Sequence, residues 1–340
     1  MTFEIRRVDP ADEVTLRQVH GLFEAVRATE TPEIAPTPEA HYAGALQHPK
    51  PNSEERCHVA VEDGTVLGQT WIYLPHKENT HYAEAELAVH PDHRRRGAGT
   101  ALLDHLLQLA KEEKRSELVV MARTTFAGGP DRPDTGARFL ERHGFTPALT
   151  EVARCLRLDD LDAEAEQRLW DESIGFAADY ELVSWIGRCP EQYVEGLGRI
   201  DSRIFAEIPL GDLDLRPRTI DADFVRAREA QAEAQDHLLI RTIAVHRATG
   251  EVAANTLIYA HAGQSHADQA ITIVDPAHRG HRLGLLAKLA NLRQVREHHD
   301  HVTAIWTGNA DTNANMVAIN DRLGFRPVDA RVSYKRLIAL

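Results

Sequence analysis

Apolar residues follow two spacings along this chain, alternate positions and every third or fourth position, and the order of the two spacings occurs twice. In the first occurrence, alternation predicts a strand over residues 3–8, and helical spacing predicts a helix over 11–28. Residues 29–51 carry several prolines and read as a loop with a short helix at 39–47. Strands at 57–62 and 66–74 join through Asp63-Gly64 as a hairpin. A strand at 81–89, a helix at 99–112, a strand at 117–122, a helix at 135–143 and a strand at 152–158 complete the set.

A polar, acidic stretch at 159–173 follows, with enough Ala, Glu and Leu to form a helix, and then the order begins again. A strand is predicted at 180–185, helices near 191–204 and 222–234, a hairpin of 238–245 and 251–259 around Thr249-Gly250, and a strand at 269–274. A helix at 283–297, a strand at 302–306, a helix ending at Leu323 and a strand at 330–337 close the second set. A chain of 340 residues is long for one core and divides naturally into two domains of roughly 150 to 175 residues. The expected division is 1–158, a connector at 159–176, and 177–340. The expected class is α/β with a mixed sheet in each half.

The two sets share a strand-turn-helix pattern. The first copy runs Val89-His90-Pro91-Asp92-His93-Arg94-Arg95-Arg96-Gly97-Ala98-Gly99-Thr100, and the second Val274-Asp275-Pro276-Ala277-His278-Arg279-Gly280-His281-Arg282-Leu283-Gly284. Each runs from an apolar strand through a glycine-containing loop into an apolar-striped helix. Such a helix start presents unpaired backbone N–H groups to an anion such as a phosphate. Each set also ends a helix in Gly-Phe before its last strand, at Gly144-Phe145 and Gly324-Phe325, where glycine serves as a left-handed stop. The similar distance from loop to Gly-Phe argues for duplication.

These motifs resemble the Gcn5-related N-acetyltransferase superfamily, and the resemblance covers nearly the whole chain as two tandem folds similar to the mycothiol synthase-like members. The family's acetyl-coenzyme A loop, Arg/Gln-x-x-Gly-x-Gly/Ala, fits Arg94-Arg95-Arg96-Gly97-Ala98-Gly99 at every defined position. The second copy departs from it, because Arg282 stands at the first glycine position; either that backbone keeps a negative φ or the cofactor site is altered. The resemblance implies acetyl-coenzyme A as donor. It would be held by Val89, Arg94, Arg95, Arg96, Gly97, Ala98, Gly99 and Thr100, and in the second copy by Val274, Arg279, Gly280, His281, Arg282, Leu283 and Gly284. Asn309 and Asn313 at the next helix start would cap it or touch cofactor, and capping is the expected job for one of them.

In the family a carboxylate on the strand before the loop commonly deprotonates the acceptor amine. Glu84 and Glu86 share one face of that strand, being two residues apart, and Glu86 is the preferred base. Asp268 is the weaker counterpart in the second half. The family's frequent general acid is a tyrosine four residues before the closing glycine, where this chain has Leu140 and Asn320. Tyr73, Tyr82, Tyr259 and Tyr334 are unassigned substitutes.

With 52 acidic and 39 basic residues the net charge is −13, which disfavours nucleic acid and anionic membranes. Cys57, Cys155 and Cys189 lack metal or disulfide spacing. His20, His48, His76, His246, His261 and the group His298, His299 and His301 read as surface or core, so no metal is expected. No segment has the apolar length to span a bilayer, and a cytoplasmic location is expected. The expected function is acetyl-coenzyme A-dependent N-acetylation of a small amine-bearing metabolite, such as an amino sugar, an amino acid or an antibiotic-like compound, by a monomer or homodimer. The alternative is a non-catalytic sensor of acyl-coenzyme A or a metabolite, built from degenerate copies of the same fold.

Overall fold

The structure is a computed structural model that describes residues 3–261 and 263–340. The first half contains β1 (Glu4–Arg7), α1 (Glu13–Glu30), α2 (Glu39–Gln47), β2 (Ser53–Glu62), β3 (Thr65–Pro75) and β4 (Tyr82–Val89). It continues with α3 (Ala98–Glu112), β5 (Glu117–Thr125), α4 (Thr135–Arg142) and β6 (Thr146–Arg157). Helix α5 (Ala163–Ile174) leads into β7 (Tyr180–Ile186), α6 (Val194–Asp201), α7 (Ile204–Glu207), α8 (Ala222–Ala234), β8 (His237–His246), β9 (Val252–His261) and β10 (His266–Val274). Then come α9 (Leu283–His298), β11 (Ala304–Ala310), α10 (Ala314–Arg322) and β12 (Arg326–Leu337).

The strands form one twelve-stranded sheet in the order β1-β2-β3-β4-β5-β12-β6-β11-β10-β9-β8-β7. Read inward from either edge, four antiparallel strands are followed by a parallel fifth, and the next strand comes from the other half. Thus β12 pairs with β5 from Asp329 to Leu337, β6 pairs with β11 from Glu151 to Arg157, and β6 and β12 pair with each other at the centre. The two halves have exchanged their last strands.

This exchange explains why both final strands are longer than the alternation predicts, starting at Thr146 and Arg326 directly after Gly144-Phe145 and Gly324-Phe325. Residues 146–151 and 326–329 carry a mixed polar pattern, and they extend because each strand pairs with the other exchanged strand. The cores follow the same rule. Val332 and Tyr334 of β12 lie among Ile72, Leu103, Leu106, Leu118 and Val120 of the first half. Leu156 of β6 lies among Ile240, Leu289, Ile305 and Phe325 of the second. Elsewhere, the helix expected at 191–204 breaks into a short turn, α6 and α7. Within 159–176, α5 is capped by Asp162 and packs on α9, where Arg293 donates to Glu166 at 2.7 Å and stacks over the Trp170 ring.

A buried ion network pins β12 in place. The Asp329 carboxylate has 0% side-chain exposure; Arg123 of β5 donates to its oxygens at 2.9 and 3.1 Å, and Arg132 donates at 3.1 Å. Arg132 also pairs with Glu33, so the exchanged strand is tied to the loop between α1 and α2. Removing Asp329 takes a carboxylate from the buried Arg132, leaving it Glu33 alone, and from the partly exposed Arg123, whereas an exposed pair such as Arg17–Glu13 is worth under about 1 kcal/mol. Asp329→Ala is therefore expected to destabilise the chain by about 3–5 kcal/mol in guanidinium unfolding, and Glu13→Ala by less than about 1 kcal/mol. Equal shifts for the two variants would show that the Asp329 network is not what seats β12.

Candidate functional site

Both glycine loops adopt the same backbone course on different residues. In the first, Arg95 and Gly97 have φ of 63° and 97°; in the second, Gly280 and Arg282 have 89° and 56°. Glycine occupies the helix entry in one copy and the earlier left-handed position in the other. Of the two possibilities for Arg282, a negative φ is thus excluded. Helices α3 and α9 start without a side-chain cap and without an acidic residue in the first turn, unlike α1, α5 and α8, which begin at Asp12, Asp162 and Asp221. Their first N–H groups, including those of Gly99, Thr100 and Gly284, are left to serve an anion.

The side chains around the loops differ. In the first, Arg94 donates to the Val89 carbonyl and pairs with Glu30 at 2.7 Å, and Arg96 pairs with Glu62. Arg95 is exposed, and among the described residues it makes no side-chain ion pair. In the second, Arg279 pairs with Glu207, His281 Nδ1 lies 2.9 Å from the Phe176 carbonyl, and Arg282 donates to the Glu172 carbonyl at 2.8 Å while stacking over the Phe176 ring. The guanidinium that could have met a phosphate is held by the end of α5.

Beside the first loop the sheet opens. Strand β4 pairs with β5 only from Tyr82 to Ala85, so from Glu86 to Val89 its β5-facing edge carries no ladder partner. Unpaired backbone groups of this kind demand a ligand or water. The same splay occurs where β10 leaves β11 after Gln269, next to a register shift before Thr272.

Glu84 and Glu86 project together into a cavity of about 520 Å³. Its first-half wall comes from α1, α2 and β2–β4, with Phe23, Tyr42, Trp71 and Tyr73; its second-half wall comes from Phe205, Arg218, Phe224 and Arg228. Glu86 is exposed to the cavity, with its carboxylate accessible from it. Burial first and the Glu84 charge second push its pKa above the ordinary value, against the pull of Arg123, Lys50 and Arg331. A carboxylate raised in this way is a better proton acceptor near neutral pH. Tyr82 donates to Glu84 at 3.3 Å, Trp71 donates to Glu55 at 2.8 Å, and Tyr73 also lines the cavity.

A second cavity of about 380 Å³ lies against β10 and β11. There Ile271 and Gln269 line the wall, and Asp268 is exposed elsewhere, 3.7 Å from His261 Nε2. Asn313 caps α10 by accepting from the Met316 N–H, while Asn309 accepts from Asn320 at 3.0 Å. Lys288, missed in the sequence, is 1% exposed; its ammonium donates to Asn320 Oδ1 at 2.7 Å, and burial lowers its pKa to about 7. The signal was a lone lysine in the apolar run 283–292. Asn320 holds this lysine, and Leu140, at the matching place in the first half, is core. Tyr259 accepts from Arg228 and Tyr334 donates to Glu141. Arg218 and Arg228 were also missed, because nothing local in sequence links them to β4. Among the described residues no helix is long and apolar enough to cross a membrane.

Known proteins share this architecture. The acetyltransferase (GNAT) family model matches residues 22–145. A mycothiol acetyltransferase of Nocardiopsis dassonvillei is 34% identical over 146 residues, covering 43% of this chain and 36% of that protein. One of Saccharomonospora viridis is 28% identical over 258 residues, covering 74% of this chain and 73% of its own length. Among solved structures, a tandem GNAT protein from the clavulanic acid biosynthesis pathway, without AcCoA, has a TM-score of 0.85 at 29% identity and covers 100% of this chain and 99% of its own. A GCN5-related N-acetyltransferase from Sphaerobacter thermophilus shares the fold at a TM-score of 0.67 and 15% identity, covering 99% of this chain and 96% of its own. The GNAT family model matches the first half of the chain, and over its whole length the chain shares the fold of a tandem GNAT protein, in keeping with the uncapped starts of α3 and α9 and the two places where the sheet splays.

Proposed function

We propose that the first half transfers an acetyl group from acetyl-coenzyme A to a small amine bound in the 520 Å³ cavity, and that the second half supplies the far wall of that cavity. The observation that carries this reading is the position of Glu86, where β4 parts from β5 and the cavity begins. The pyrophosphate would bind the N–H groups at the start of α3, with Gly97 giving close backbone approach and Arg95 free to reach a phosphate. The pantetheine would lie in the gap and hydrogen-bond the open edge of β4. Its thioester would then arrive beside Glu86.

In this account the neutral amine nitrogen attacks the thioester carbon. The carbonyl oxygen takes up negative charge beside the open β4 edge. Glu86 accepts the proton released from nitrogen, directly or through water. Collapse breaks the C–S bond, and the departing thiolate, whose thiol has a pKa near about 8.5, takes a proton from solvent. Glu84 and the aromatic walls Tyr42, Trp71 and Tyr73 favour a cationic acceptor before it is deprotonated. An amino sugar, an amino acid or an antibiotic-like amine has this chemistry.

Two expectations distinguish the halves. A Cβ at Gly99 would meet only side-chain atoms of Val89 and Phe139 at 3.5–3.8 Å, so Gly99→Val should fold normally yet weaken acetyl-coenzyme A binding at least about tenfold, or about 1.4 kcal/mol, in calorimetry. Gly284→Val should leave affinity unchanged; the reverse pattern would move the donor site to the second half.

Glu86→Gln should retain acetyl-coenzyme A affinity and lower turnover by about 10²-fold in a free-thiol assay across an amine panel. Deprotonated Glu86 is the active form, so the parent's rate should rise through a pKa above the ordinary carboxylate value. The deficit of the variant should shrink as pH approaches that of the free amine. Turnover within a few-fold of the parent at neutral pH would shift the role to Glu84, and donor binding without turnover on any amine would favour the sensor reading.

A further inference from the structure

The geometry points to a metal site at the junction of the two halves, in which His41, His237 and His261 bind one divalent zinc-like cation and so clamp α2 to the second half. His237 and His261 stand directly opposite each other in the β8–β9 ladder, a register that brings side chains together, and their rings are 4.3 Å apart. His41 of α2 stacks on His237 with ring centroids at 5.6 Å and meets His261 edge-on at 5.8 Å. One ligand nitrogen from each ring lies within 4.8 Å of the others. A tetrahedral zinc ion with Zn–N near 2.0–2.1 Å wants these nitrogens about 3.4 Å apart, a contraction that small side-chain rotations supply.

Two further observations favour a ligand there. His41 Nδ1 and His237 Nε2 are buried and find no hydrogen-bond partner among the described residues, a state that buried polar atoms rarely keep. The Asp268 carboxylate lies 3.7 Å from His261 Nε2, as the outer carboxylate of a histidine-bound metal does when it fixes the ring's orientation. Three imidazoles and few competing ligands suit zinc and its borderline neighbours rather than magnesium or calcium. The sequence spacing hid this group because His41 lies on a helix of the first half and His237 and His261 on two strands of the second.

The consequence lies in what α2 does. None of its residues is buried and no side chain caps its start; its far end is held where Gln231 and Gln235 of α8 donate to the His48 carbonyl at 2.9 Å. His41, Tyr42 and Ala45 line the cavity. A cation at His41 would fix this wall against β8 and β9, giving the cavity its shape independently of any acetyl donor.

The test uses the full chain, stripped with a chelator and titrated with Zn²⁺ against a chromogenic competitor and with Co²⁺ by visible absorption. Expected are one ion per chain, the intense absorption of tetrahedral Co²⁺, and slower amide exchange across residues 39–47 on adding Zn²⁺. His237→Ala and the surface-compatible His41→Gln should each lower affinity by about tenfold or more, with unchanged circular dichroism in the metal-free state. His298→Ala, in the separate 298–301 group, should bind as the parent does. A parent chain that takes up no ion, or uptake that neither His41→Gln nor His237→Ala reduces, would overturn the site.

Discussion

The pairing of β12 with β5, and of β6 with β11, is the constraint from which the rest of this structure follows. Each half lacks the strand that would complete its own sheet and receives it from the other. The side chains that fill each core therefore arrive from both halves of the chain, as Val332, Tyr334 and Leu156 do. Such cores cannot form one at a time, so the two halves are held at a fixed separation and orientation. The cavity next to Glu86 depends on that fixed relation, because Phe205, Arg218 and Phe224 reach it only from the second half.

Duplication followed by divergence is visible at the level of single backbone angles. Both loops need two left-handed residues, and each copy places glycine at a different one of them. A left-handed arginine costs about 1 kcal/mol. In the second loop, hydrogen bonding and stacking of Arg282 on the end of α5 offset that cost and withdraw its charge from the helix start. In the first loop the glycine stands at the helix entry, where a phosphate must approach most closely. The end of α5 thus occupies the Arg282 guanidinium in the second loop, whereas Arg95 in the first is exposed. Burial of Lys288 against Asn320 and Asn309 marks the same divergence, since a polar network stands where the first half has the core residue Leu140.

Local signals made much of the fold legible. The strand-loop-helix copies, the Gly-Phe helix stops and the short helix at 39–47 rest on residue spacing and turn chemistry, which act over a few positions, and the structure has elements at all of them. Strand exchange was not legible, because β6 and β12 have the alternation of any half-buried strand and nothing in it names a partner. For the same reason the early parts of both strands, 146–151 and 326–329, fall outside the strands that alternation predicts. At the site, the shared face of Glu84 and Glu86 follows from a period of two. The second-half wall of the cavity and the gathering of His41, His237 and His261 follow only from tertiary contact.

The central claim is that one half of a duplicated fold receives the acetyl donor while the other shapes the place where the acceptor binds. A crystal structure grown with coenzyme A tests it most directly. Expected is density for pyrophosphate at the start of α3, around residues 95–100, with the pantetheine between β4 and β5 and its sulfur near Glu86. Density confined to residues 279–284, with the gap beside β4 filled by protein or water, would contradict it.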